Sequence, residues 1–128
     1  MLPITSLYAA ILAVLIIALA YKVVVFRRSK QVGLGDNGDT GGKLAIRAHA
    51  NAVEYIPMLV ILLGLYEAGG GNSLILHAMG GIIVFARVIH AFGLSSSAGK
   101  SFGRFYGTLL TWLSTLVLAA LNIYQFIF

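Results

Sequence analysis

The stretch Arg47-Ala48-His49-Ala50-Asn51-Ala52-Val53-Glu54-Tyr55-Ile56-Pro57 carries two charges, an amide and a histidine into the start of a long apolar run. An ionisable side chain inside a membrane span costs about 2.5–3.5 kcal/mol on insertion scales, so it normally meets a partner or a wet cavity. At helical spacing, positions 47, 51 and 54 fall on one face. An arginine, an amide and a carboxylate on one stripe suit a small, polar, zwitterionic ligand. The segment is therefore both part of a membrane helix and the place where function is sought.

The rest of the chain supports the membrane reading. Of 128 residues, 59% are hydrophobic and 10% charged, against about 25% charged in a soluble domain. The mean hydropathy is +0.94. At about 20 residues per crossing, the length allows one domain of four spans and no soluble domain beside them. The spans are expected at about 3–26, 44–68, 73–93 and 102–127, as an all-α, up-down-up-down integral membrane bundle. The first is read as a retained anchor, because no basic region precedes it and Arg27, Arg28 and Lys30 follow it. Pro57 is expected to kink the second span, which neighbouring helices tolerate in a membrane.

Charge sets the orientation. Arg27, Arg28, Lys30, Lys43, Lys100 and Arg104 belong to the first and third connections or their edges. The positive-inside rule puts these connections, 27–43 and 94–101, in the cytoplasm. The chain has no cysteine, so it forms no disulfide and has no thiolate nucleophile of its own. No histidines and carboxylates stand at metal-ligand spacing. The basic groups line a membrane face, which does not imply nucleic acid.

Polar groups from several spans converge on the cytoplasmic half. The second span brings Arg47, Asn51, Glu54 and Tyr55. The third brings Arg87 and His90, and the fourth Arg104 with a stripe of Thr108, Thr111 and Thr115. Arg47, Arg87 and Arg104 are expected to face only Glu54, a surplus of buried positive charge that calls for an anionic ligand. His49 points to another face, as at a subunit contact. Packing suffices for His77 and the threonines, and Glu67 needs no special role. The alternative is a non-catalytic membrane protein, a structural or assembly factor or a small transporter, whose buried charges form an ion-pair network.

At these residues the chain resembles the MAPEG superfamily, membrane-associated proteins in eicosanoid and glutathione metabolism, and in particular its bacterial, microsomal glutathione transferase-like branch. The 47–57 segment and Ala86-Arg87-Val88-Ile89-His90 carry the likeness. The resemblance implies a homotrimer in the inner membrane with glutathione as cosubstrate at each subunit interface, facing the cytoplasm. Arg47, Asn51, Glu54, Tyr55, Arg87 and His90 would bind it, with Arg27 or Arg28 and His49 coming from the neighbouring subunit. Arg104 would hold the thiol as thiolate for transfer to, or reduction of, lipophilic electrophiles in the lipid. Leu94 stands where many members have a tyrosine, so glutathione binding transfers better than any one reaction.

Overall fold

The computed structural model describes residues 1–96 and 99–128. The chain folds into α1 (Pro3–Lys30), α2 (Thr40–Ala68), α3 (Ser73–Ser96) and α4 (Phe102–Ile127), each long and apolar enough to cross a membrane.

Local chemistry sets the helix ends, and it lengthens three of them beyond the apolar runs. Pro3 opens α1, where a missing N–H costs nothing. At the other end α1 continues past Phe26 to Lys30, with Arg27, Arg28 and Lys30 in the last turn, where cations complement the helix dipole. Gln31, in the left-handed conformation, closes it by donating its backbone N–H to the carbonyls of Arg27 and Arg28. α2 starts at Thr40 rather than Leu44 because Asp39 caps it, its side chain accepting from Gly42 N at 2.9 Å. Lys30 pairs with Asp39 at 3.5 Å and ties the two ends together. The helix then runs through Pro57 without a break. α3 carries Ser95 and Ser96, expected as loop, in its last turn, and Ser96 Oγ donates to Phe92 O at 2.7 Å. Ser97 and Ala98, also assigned to that loop, lie outside the described residues. Ser101 caps α4, accepting from Arg104 N and donating to Gly93 O.

Among the described residues, α1 packs on α2 and α3, α4 packs on α3 and α2, and α1 and α4 do not meet. The bundle is thus a central α2/α3 pair with α1 on one flank and α4 on the other. Leu12 and Leu19 of α1, Ile56, Leu59 and Leu63 of α2, Leu76 and Ile83 of α3 and Leu118 of α4 form one buried core. Lipid tails are as apolar as these side chains, so close fit rather than exclusion of water must hold the helices together. The α3/α4 contact shows this most clearly. A Cβ on Gly107 would lie 2.6 Å from His90 Cβ and 2.8 Å from the Ala86 carbonyl. A Cβ on Gly93 would lie 2.6 Å from Arg104 N, and one on Gly103 would strike the Ile89 carbonyl. Only hydrogen fits at these three positions.

The end away from the arginines is latched by polar side chains. Asn122 Nδ2 donates to Leu62 O and Gln125 Nε2 to Tyr66 O, joining α4 to α2. Glu67 takes a role its sequence context did not suggest. Its carboxylate oxygens accept from Ile4 N at 2.9 Å and Thr5 N at 2.7 Å, so a residue of α2 caps α1. These are first-turn amides with no partner inside their own helix. Tyr8 and His77 meet nearby, with the hydroxyl 3.0 Å from Nδ1.

Candidate functional site

Glu54 lies eleven residues after Lys43 and thirteen before Glu67, about 16 and 20 Å of helix rise. It therefore stands near mid-depth of an apolar helix. Its Oε1 is 3.8 Å from Arg47 NH1, two turns away on the same face, and the two side chains are 53% and 56% exposed on this chain. Asn51, one turn above Arg47, turns inward instead. Its Oδ1 accepts from Arg87 NH2 at 2.6 Å.

Arg87 is almost wholly buried, with 1% of its surface accessible. Its other terminal nitrogen donates to Thr111 Oγ1 at 3.3 Å, and its guanidinium lies 5.6 Å from the centre of the Tyr55 ring. Thr111 in turn donates to Gly107 O at 2.7 Å. The Tyr55 hydroxyl accepts from Trp112 Nε1 at 3.1 Å. One chain of contacts thus runs from Asn51 through Arg87 to Thr111, and across the Tyr55 ring to Trp112.

This corrects two expectations. The three arginines do not converge on Glu54. Glu54 pairs with Arg47 at the surface, while Arg87, one helix away, is fixed by neutral groups and an aromatic face. For the same reason the buried charges form no ion-pair network: among the described residues the ion pairs are Lys30–Asp39 and Arg47–Glu54, both substantially exposed. The threonine stripe is also more than packing, since Thr111 holds the buried arginine.

Two neighbouring grooves open on the α4 flank. One, of about 1030 Å³, is lined by Lys100, Arg104, Phe105, Tyr106, Leu109 and Trp112 among others. It has cations at the basic end and an aromatic and aliphatic wall beyond. The second, of about 490 Å³, is lined by Glu54, Tyr55, Met58, Trp112, Thr115 and Leu116. Trp112 lines both. Arg104 therefore does not share a groove with Glu54 in one chain. It lies eight residues from Trp112, about 12 Å of rise, and its guanidinium donates to Gly99 O at 2.7 Å, away from Trp112.

The remaining candidates lie apart. His90 is 4% exposed, pressed under Gly107 of α4. Its Nδ1 and Arg87 Nε are buried with no hydrogen-bond partner among the described residues. Arg27 and Arg28 line a third groove of about 460 Å³ with Val24, Gln31, Val32 and Gly33, on the α1 flank. As α1 and α4 do not meet, these arginines do not line the α4 grooves of their own chain. His49 is half-buried and lines none of the three grooves.

Two features that matter here escape a reading of the sequence. Trp112 bridges the grooves, and nothing in its apolar surroundings marks it. Gly103 and Gly107 set the α3/α4 approach, and their spacing, Gly-x-x-x-Gly, is a recognisable sign of close helix contact.

A model of the MAPEG family matches residues 5–124. Two relatives, each named Inner membrane protein YecN, come from Escherichia coli strain K12 and Escherichia coli O6:H1 strain CFT073. Each is 31% identical to this chain over 121 residues, which span 94% of it and 91% of the relative. The chain belongs to the MAPEG family.

Proposed function

We propose that this protein is a homotrimeric inner-membrane enzyme that binds glutathione between subunits and delivers its thiolate to lipophilic electrophiles, as a transferase or peroxidase. The observation that carries the reading is the Arg47–Glu54 pair, about half exposed, with Glu54 near mid-depth of an apolar helix. Facing lipid there, the Glu54 charge would cost about 2.5–3.5 kcal/mol. Covered by a second copy with a polar ligand between, the pair is solvated and used. The inner-membrane assignment also agrees with the name of the relatives.

The chemistry of glutathione fits this surface. Its ammonium suits Glu54, and its two carboxylates suit guanidinium forks, which bind such groups through paired charge-assisted bonds. Arg104 and Lys100 offer cations at the groove mouth, and Arg27 or Arg28 of a neighbouring copy offers more. The aromatic wall of Phe105, Tyr106 and Trp112 suits a lipid-soluble second substrate. In the transferase reaction the thiolate sulfur bonds to an electrophilic carbon while the leaving group departs with the electron pair of the broken bond. In the peroxidase reaction it attacks a hydroperoxide oxygen, the O–O bond breaks to release an alcohol, and a second glutathione reduces the resulting sulfenic acid to glutathione disulfide and water. The thiol is one that this cysteine-free chain lacks.

Calorimetric titration of the detergent-solubilised protein with glutathione, followed by turnover with a generic electrophile and a lipid hydroperoxide, tests the reading. Saturable binding with turnover of either substrate is expected. Absence of binding removes it.

A further inference from the structure

The last turn of α1 builds a basic groove within one chain. Phe26 lies over Gly42 of α2, where a Cβ would strike its ring, and this fixes the end of α1 on its neighbour. Gln31, in the left-handed conformation, then turns the chain back, and Val32 N donates to Arg27 O at 2.9 Å. Val24, Arg27, Arg28, Gln31, Val32 and Gly33 line the resulting groove of about 460 Å³, within the range of small-ligand clefts.

Charge in this groove is one-sided. Other cations of the basic end are engaged, Lys30 with Asp39, Arg47 with Glu54 and Arg104 with Gly99 O. Arg27 and Arg28 stand in no ion pair among the described residues, and Arg27 Nε is buried with no hydrogen-bond partner among them. A helix C-terminus repels anions through its free carbonyls, but those of Arg27 and Arg28 are covered here. The backbone N–H groups of Gln31 and Val32 donate to them, and Gln31 Nε2 donates to Arg28 O at 2.9 Å. Two guanidinium forks beside satisfied carbonyls suit a phosphate, which a fork grips through paired charge-assisted bonds.

The surroundings decide which phosphate. Val24 lines the groove one turn before Arg28, about 6 Å deeper along α1. Tyr21, Val24, Val25 and Arg28 stand at i, i+3, i+4 and i+7, on one face. The first three are exposed, so apolar surface continues from the groove toward the middle of the span. A soluble phosphate would use only the guanidinium end, whereas a glycerophospholipid uses both. We propose that the groove is a binding site for an anionic glycerophospholipid, with its phosphodiester on Arg27 and Arg28 and its acyl chains along Val24 and Tyr21. An uncharged glycerol headgroup leaves both cations to the phosphate, while a headgroup ammonium would meet like charge. The groove is complete within one chain, so the proposal stands apart from the glutathione reading.

The test is native mass spectrometry of the delipidated full-length protein in detergent, without glutathione. It is titrated with phosphatidylglycerol, with phosphatidylcholine of the same acyl chains, and with inorganic phosphate. Phosphatidylglycerol should bind saturably and about tenfold more tightly than phosphatidylcholine, and inorganic phosphate should not displace it. Arg27→Gln and Arg28→Gln should each weaken phosphatidylglycerol about tenfold, the loss of charge-assisted bonds. Lys43→Gln removes the same charge from the same end but outside the groove, and should change affinity by less than about twofold. Two arginine variants keep the test open should one fail to fold. No binding of phosphatidylglycerol, equal affinity for the two lipids, or an equal loss in Lys43→Gln overturns the site. Displacement by inorganic phosphate at matching affinity assigns the groove to free phosphate and overturns the lipid.

Discussion

Replacing Gly107 with alanine tests how far the site depends on the α3/α4 approach. The added methyl would lie 2.6 Å from His90 Cβ and 2.8 Å from the Ala86 carbonyl. Carbon pairs rest at about 3.5–4.0 Å, so the overlap is about 1 Å, and backbone lies on one side of it. Overpacking of this size costs about 1–3 kcal/mol. Against it stands the gain of about 1 kcal/mol in helix propensity from glycine to alanine. Gly81 of α3 supplies the control, because a Cβ there meets nothing within 4 Å. Gly81→Ala should therefore be neutral or stabilising, and Gly107→Ala should fall below it by about 1–3 kcal/mol. Unfolding in mixed micelles of rising dodecyl sulfate fraction, followed by circular dichroism, measures both. Equal stability of the two variants would refute the claim that α3 and α4 are held at glycine distance. As Thr111 bonds Gly107 O and Arg87, Gly107→Ala should also weaken ligand binding, whereas Gly81→Ala should not.

Other expectations follow from single contacts. Thr111→Val keeps the shape but removes the acceptor of Arg87 NH1, and should cost about 1–3 kcal/mol in the same unfolding assay, the penalty of an unmet buried donor. Glu67→Ala removes the cap on the Ile4 and Thr5 amides, so hydrogen exchange there should speed up about tenfold, for a loss of about 1.4 kcal/mol. The Asp39 carboxyl is held below its usual value of 3.8 chiefly by the Gly42 N–H, with desolvation opposing and Lys30 assisting. Its contribution is therefore complete above pH 3.8 and lost as pH falls through the lower folded value. Protection of the Gly42 amide should fade in that acid range, and in Asp39→Asn it should not change there.

The four spans were legible in the sequence because an apolar run of about 20 residues with few charges matches the thickness of a bilayer and little else. Helix ends were less so. α1 and α2 overrun their apolar segments because Gln31 and Asp39 cap them at positions hydropathy does not weigh. The candidate residues were legible as types but not as partners. Spacing put Arg47, Asn51 and Glu54 on one stripe, yet that stripe straddles an edge of α2. Arg47 and Glu54 fall outside it and Asn51 inside, against Arg87. Which neighbour a helical face meets depends on which helices touch, and the separation of α1 from α4 has no local signal. Glu67 illustrates the same limit, since its partners are the amides of a helix more than sixty residues earlier.

The central claim is that the Arg47–Glu54–Tyr55 surface exists to hold glutathione between copies of the chain. Calorimetric titration of glutathione into wild type and Glu54→Gln tests it most directly, because the substitution removes the charge that would meet the ammonium and keeps the shape. Wild type should bind saturably, and Glu54→Gln should form an at least tenfold weaker complex at unchanged oligomeric mass. Equal affinity in the two proteins, or no binding by either, would contradict the claim.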